Sequence, residues 1–471
     1  MGLFVSWLYI FPMFGPFLQR ISWQNGTSPT EIFLLFVGFH GVGLLGYGAY
    51  FAYLEKSKKH AKIQLLMRSM VTFTIASAGL TLFFAVCPAG LKPWAMAGLG
   101  LCAAPIMIMY QVYLSAYYPV LSVGKRIGWA LFVAEIVFII FTLFCNDVSV
   151  IWSVIFVIFL LILSLPLFQV SLMSADVMGQ QSKQIIKAEG NRKNHFIKLL
   201  AMVFFWYLVT GLMYSLTYPA WVAKVNDSVG VENASYMIAA LLAGYFADQY
   251  VRQHMVLISL SFSGIGYLVL YALSGHVVDI IAICVLQCGS AFLDVYLFST
   301  LAEIAASDSN PALIWGIGLC VNLMAIFVSN GVLYIGNDSL WLMSGFKFIG
   351  IILIFVLIPI SNALVFSDDL KKGRFYELQA IAVQHDRMNL SEPVQNDATK
   401  EFDGLFIQYH FTPREKQVAE LLLKGSNIVD IEQELNIKVT TIKTHLRGIY
   451  NKTNTNSQKE FILLMHHDSK K

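Results

Sequence analysis

The chain has 471 residues, 57% of them hydrophobic and only 13% charged, with a formal net charge of +3. Soluble domains carry about 25% charged residues, so this composition excludes an ordinary soluble protein and points to a membrane. A net charge this small carries no argument for a polyanionic partner by itself.

The apolar runs fill residues 1–366, and the rest of the chain is ordinary and polar. The first residues do not read as a signal peptide, because no basic leader precedes the run and Pro12 and Pro16 interrupt it. A spanning helix needs about 20 mostly apolar residues. In chain order, Leu3–Phe17 is a short, proline-broken candidate. Ile32–Tyr53, Ile63–Val86, Trp94–Tyr117, Ile127–Cys145 and Val148–Val170 follow it. Beyond a polar stretch, 171–198, come Leu199–Val222, Ala234–Ala247, Met255–Leu273, Val278–Ala302, Ala312–Ile335 and Leu340–Phe366. The expectation is an all-α membrane bundle of about twelve spans, in halves 1–172 and 199–366. Cys87, Cys102, Cys145, Cys284, Cys288 and Cys320 lie in or beside these runs without metal-ligand spacing and read as small buried hydrophobes.

Orientation follows from the basic residues. One set of loops holds Lys56, Lys58, Lys59, Lys62, Lys125, Arg126, Lys183, Lys187, Arg192, Lys193, Lys198 and Arg252, against Arg20, Lys92 and Lys224 in the other. The richer side is expected to be cytoplasmic, and counting spans puts the C-terminal tail there too. Ionisable groups inside spans are costly and therefore candidates for function. Glu135 sits mid-way along the fifth span and Asp294 mid-way along the tenth, with Lys347 inside the twelfth and Glu303 at the end of the tenth. His40, Gln111, Gln287, Asn322 and Asn330 add polar groups. The competing reading of each is interhelical hydrogen bonding, worth about 0.6 kcal/mol per contact.

Between the eighth and ninth spans, Gly244-Tyr-Phe-Ala-Asp248-Gln-Tyr-Val-Arg252 resembles the G-x-x-x-D-[RK]-x-G-[RK] loop of major facilitator superfamily transporters. Its glycine allows close helix approach, and its aspartate can cap a helix or pair with an arginine. Gln249 and Val251 depart from the pattern, and the first half has no clear copy. The resemblance implies that the fifth, tenth and eleventh spans wall a central cavity. Glu135, Asp294 and Asn322 would then line a pocket for an unknown small molecule, aided by Trp206, Tyr207 and Tyr214.

Residues 367–409 read as a cytoplasmic linker, with 389–404 flexible. Sixteen disordered residues would span about 20–25 Å. Residues 410–468 then read as a small helical domain. Thr412-Pro413-Arg414-Glu415 is a capping box with proline at the first helical position. The first helix buries Val418, Leu421 and Leu422 and stops at Gly425. Ile428–Leu435 is a second, and about Val439–Lys452 a third that buries Ile442, Leu446 and Ile449. The far face of the third helix carries Thr440, Thr441, Lys443, Thr444, Arg447 and Asn451. In a helix-turn-helix this helix enters the major groove. Ser457-Gln-Lys-Glu460 opens a fourth.

This segment resembles the LuxR-type (FixJ/NarL-like) DNA-binding domain, through T-P-R-E near its start and T-I-K-T-H in the third helix. The resemblance implies double-stranded promoter DNA as a partner. Thr440, Lys443, Thr444 and Arg447 would face the groove, Thr441 and Lys452 would lie near phosphates, and Phe461, Ile462 and Leu464 would form a homodimer face. Glu432, Asn436 and Lys438 depart from the usual residues, and Asp430, Glu432 and Glu434 offset the basic charge. No phosphate loop, metal-spaced cluster or catalytic constellation stands out, so neither an enzyme nor a cofactor or metal is expected. The chain resembles LuxR-family regulators with multi-span sensor domains in bacterial cell membranes. A transporter with a regulatory tail, or a tail that binds only protein, remains an alternative.

Overall fold

The structure, a computed structural model, describes residues 1–13, 28–57, 62–117, 123–144, 148–182, 192–224, 231–250, 253–273, 275–306, 308, 310–336, 340–365, 402–423, 431, 434–435, 437, 439–453, 455 and 458–468. The chain divides into two compact units, Met1–Lys372 and Gly373–Lys471. The described residues form helices and no strands.

The first half of the membrane unit comprises α1 (Gly2–Leu8, continued by a π-helical turn Tyr9–Met13), α2 (Pro29–Ser57), α3 (Lys62–Val86), α4 (Lys92–Tyr117), α5 (Val123–Phe144) and α6 (Val150–Ser182). The second comprises α7 (Arg192–Lys224), α8 (Val231–Gln249), α9 (Gln253–Ala272), α10 (His276–Ala306), α11 (Pro311–Gly336) and α12 (Leu340–Val365). Eight of these are long and apolar enough to cross a bilayer on their described residues, and α1, α7 and α12 carry shorter apolar stretches.

One face of α5 buries Ile127, Leu131, Ala134, Glu135, Phe138 and Phe141 at helical spacing. Its other face exposes Trp129, Val133, Ile140 and Leu143. In water each such residue would cost about 1.5–3 kcal/mol. A lipid-facing surface made of them is therefore itself an argument for the bilayer. Helix α4 is the most enclosed, with 83% of its most apolar window buried against 28% for α3. The short α1 is a core element too: Phe4 and Trp7 are fully buried.

The two halves meet through α2 against α11 and α5 against α8. Replacing each helix by its counterpart six labels away in the other half converts one pair into the other, as expected for two repeats related by a pseudo-two-fold axis. Both contacts depend on bare backbone. A Cβ on Gly316 would meet Leu44 O at 2.5 Å, and one on Gly244 would meet Gly124 O at 2.6 Å.

Helices α6 and α7 run on into the polar stretch between the two expected halves. They run to Ser182 and from Arg192, so only 183–191 of the polar stretch lies outside the described residues. Thirty-three residues extend about 50 Å, beyond a hydrocarbon core of about 30 Å. Loss of apolarity marks the membrane edge, not the helix end.

The second unit holds α13 (Asp403–Gln408), α14 (Pro413–Leu423), α15 (Val439–Thr453) and α16 (Gln458–Asp468). Its core joins Val418, Leu421, Leu422, Ile431, Ile442, Leu446, Ile449 and Phe461. Phe402, Leu405 and Phe406 enter the same core. The linker expected to reach residue 409, flexible to 404, therefore ends earlier, because these apolar side chains are fixed by the domain they cover. Residues 366–401 lie outside the described residues.

Candidate functional site

The membrane unit gathers a polar cluster around Asp294 of α10. The Asp294 carboxylate accepts hydrogen bonds from Tyr207 of α7 at Oδ1 and from Tyr236 of α8 at Oδ2, 2.6 Å. Tyr9, in the turn after α1, is hydrogen-bonded to Tyr236, and Asn322 of α11 to Tyr207. Glu135 of α5 lies within electrostatic reach of Asp294 and of Glu232 in the first turn of α8. It is 6% exposed, and its Oε2 has no hydrogen-bond partner among the described residues. Both halves of the bundle supply groups to this cluster.

Of the residues expected to line a pocket, Asp294, Asn322 and Tyr207 come together, with Glu135 beside them. Trp206 turns elsewhere: its Nε1 donates to Ser361 Oγ at 2.9 Å. The Tyr214 and Lys347 side chains lie outside the described residues. Sequence reasoning missed Tyr9, Tyr236 and Glu232. His40 Nδ1 lies 2.9 Å from Gly100 O, and Asn330 Nδ2 donates to Ile326 O at 2.9 Å.

At the loop motif, Asp248 caps α5. Its Oδ1 accepts from Gly124 N at 2.8 Å and its Oδ2 from Lys125 N at 2.9 Å. A carboxylate at a helix N-terminus satisfies orphan donors and the positive end of the dipole. Gly244 and Asp248 thus act on one partner helix, α5. Arg252 lies outside the described residues.

In the tail, the capping box forms: Glu415 N donates to Thr412 Oγ1 at 3.3 Å and Thr412 N to Glu415 Oε2 at 2.8 Å. Glu415 has a second task. Lys452 Nζ, near the end of α15, donates to Glu415 Oε2 at 2.6 Å and to His410 O at 2.8 Å. Gly448, one turn before Lys452, leaves the space that the Glu415 carboxylate fills. Burial pushes the Glu415 carboxyl up, but its hydrogen bonds from Lys452 and Thr412 outweigh this and hold it below the usual carboxylate range. Lys452, expected near phosphates, is engaged inside the domain, tying α15 to α14.

Thr441, Thr444 and Arg447 are exposed on the face of α15 opposite Ile442, Leu446 and Ile449. The side chains of Thr440 and Lys443 lie outside the described residues. Phe461 does not belong to a dimer face: it is fully buried and meets Phe411 and Tyr450 in the domain core. Ile462 and Leu464 are half-buried.

Residues 410–465 match the family described as bacterial regulatory proteins, luxR family. The tail is a LuxR-type helix-turn-helix domain. No curated protein matches the chain. The membrane unit is similar in fold to solved transporters. A bacterial homologue of the iron transporter ferroportin, outward-facing with soaked iron, aligns with a TM-score of 0.57 and 10% identity over 79% of this chain and 98% of that one. The outward-facing state without that soak gives 0.55 and 9% over 78% and 96%. The human organic anion transporter MFSD10 (TETRAN) gives 0.51 and 11% over 75% and 97%. At such identities the likeness is one of fold. The chain thus joins a bundle of apolar helices, similar in fold to those transporters, to a LuxR-type domain.

Proposed function

We propose that the chain is a membrane-anchored one-component transcription regulator. Its LuxR-type domain binds promoter DNA through α15, as a homodimer that uses Leu464 and Ile462. Its twelve helices sit in a bacterial cell membrane and sense a small molecule. The observation that carries this reading is a DNA-binding family domain fused to a facilitator-like bundle, with Thr441, Thr444 and Arg447 exposed on one helix face. The excess of basic residues in one set of loops supports a cytoplasmic tail. A ligand between the halves shifts the output only by its differential affinity for two arrangements of the bundle.

Genome-wide DNA occupancy of the intact tagged protein, beside Lys443→Ala/Arg447→Ala, tests this. The expected result is a set of discrete sites lost in the double variant. Absence of enrichment across growth conditions overturns the proposal. A second reading, a transporter with a regulatory tail, draws on the buried Glu135 and Asp294. It requires uptake that Glu135→Gln abolishes, whereas the regulator keeps reporter output where no uptake is measurable.

A further inference from the structure

The cluster around Asp294 has a chemistry that narrows its ligand. Resting on the reading that the bundle senses a small molecule, we propose that this cluster binds an organic monocation, an amine or quaternary ammonium carried on a hydrophobic body.

The argument begins with charge. Glu135 feels two other carboxylates, Asp294 and Glu232, and Asp294 is held by neutral phenols. A carboxylate in a bilayer interior is expensive unless a positive partner meets it. Glu135 is enclosed, yet one of its oxygens has no hydrogen-bond partner among the described residues. That oxygen is an acceptor the cluster leaves open, and a cation placed there is attracted by the acidic groups around it.

The arrangement of the acidic groups discriminates among cations. Both Asp294 oxygens already accept from tyrosines. A divalent metal ion seeks about six or more oxygen ligands, and among the described residues no group of three or more His, Cys, Asp or Glu is placed to hold one. The open Glu135 oxygen, beside phenols, suits an ammonium head, for which aromatic rings are also good neighbours. Position adds a consequence. Tyr9 and Glu135 belong to the first half, and Tyr207, Tyr236, Asp294 and Asn322 to the second. A cation bound among them therefore contacts both halves and favours the arrangement that keeps them together.

The test uses the full chain in phosphatidylcholine nanodiscs, whose neutral headgroups do not concentrate cations. Tritiated tetraphenylphosphonium is the probe. Benzyltrimethylammonium, its neutral isostere neopentylbenzene and phenylacetate are the competitors. The expected result is saturable binding displaced by the ammonium and by neither of the others. Glu135→Gln should weaken binding about tenfold or more, which is about 1.4 kcal/mol or more, and Glu31→Gln should leave it unchanged. The thermal midpoint of unliganded Glu135→Gln should equal or exceed that of the parent, showing that the loss is not misfolding. Absence of saturable binding, equal displacement by neopentylbenzene, or undiminished binding by Glu135→Gln would each overturn the proposal. Promoter binding measured on the same preparations separates the two readings. Intact DNA binding without cation binding removes only the ligand class, and cation binding without DNA binding removes the regulator.

Discussion

Replacing Lys452 by methionine keeps an aliphatic stem on α15 and removes the ammonium that joins His410 O to Glu415. An exposed ion pair is worth about 0–1 kcal/mol, and a hydrogen bond to a charged group about 1.5–3 kcal/mol. The Glu415 side chain is 9% exposed and that of Lys452 32%. The enclosed carboxylate raises the value and the partly solvated ammonium lowers it, so Lys452→Met should cost about 1.5–2 kcal/mol. Most of that cost should appear as coupling to Glu415→Gln in a double-mutant cycle. The pair also has a pH signature. The folded Glu415 carboxyl lies below its ordinary range, so its contribution is complete above the unfolded value of about 4.3 and is lost as pH falls through the folded value. Hydrogen exchange of the α14 and α15 amides in the full chain reads both effects. The parent should lose protection on acidification more steeply than Lys452→Met, which lacks the main depressing partner. A coupling below about 0.3 kcal/mol, or identical pH slopes, would refute the clamp.

Asp248→Ala should remove the α5 cap and cost about 1–2 kcal/mol, seen as a lower thermal midpoint in nanodiscs, while Glu31→Gln changes nothing. An unaltered midpoint would mean that Gly124 N and Lys125 N find other acceptors. Phe461→Ala should cost about 3–5 kcal/mol and abolish exchange protection throughout the tail. Leu464→Ala should leave protection intact and weaken only DNA-bound dimers in a mobility-shift assay. If Phe461→Ala keeps a protected tail and loses only dimers, Phe461 belongs to the interface after all.

The sequence alone was sufficient for the class of each unit, because solvent writes itself into composition. In water, α15 must separate Ile442, Leu446 and Ile449 from Thr441, Thr444 and Arg447, and that spacing is legible in the order of the residues. In a bilayer both faces of a helix are apolar, so length and hydropathy reveal a span but not which side of it is buried. Glu135 and Asp294 stood out because charges are rare in spans. Tyr9 and Tyr236 did not, since in a chain that is 14% aromatic a tyrosine looks the same in a core, at an interface or beside a carboxylate. The partners that packing brings together are distant in sequence: Tyr9 with Tyr236, Asp248 with Gly124, Lys452 with Glu415. The two carboxylates of those last pairs had visible local roles, a loop motif and a capping box, but their second partners lie on other helices. Phe402 and Phe406 were assigned to a linker for the same reason, because a six-residue helix is too short to show periodicity and gains its stability from the domain it covers. Local pattern reports the solvent each helix meets; only packing determines which side chains share a site, because burial removes water and leaves the protein itself as the source of partners.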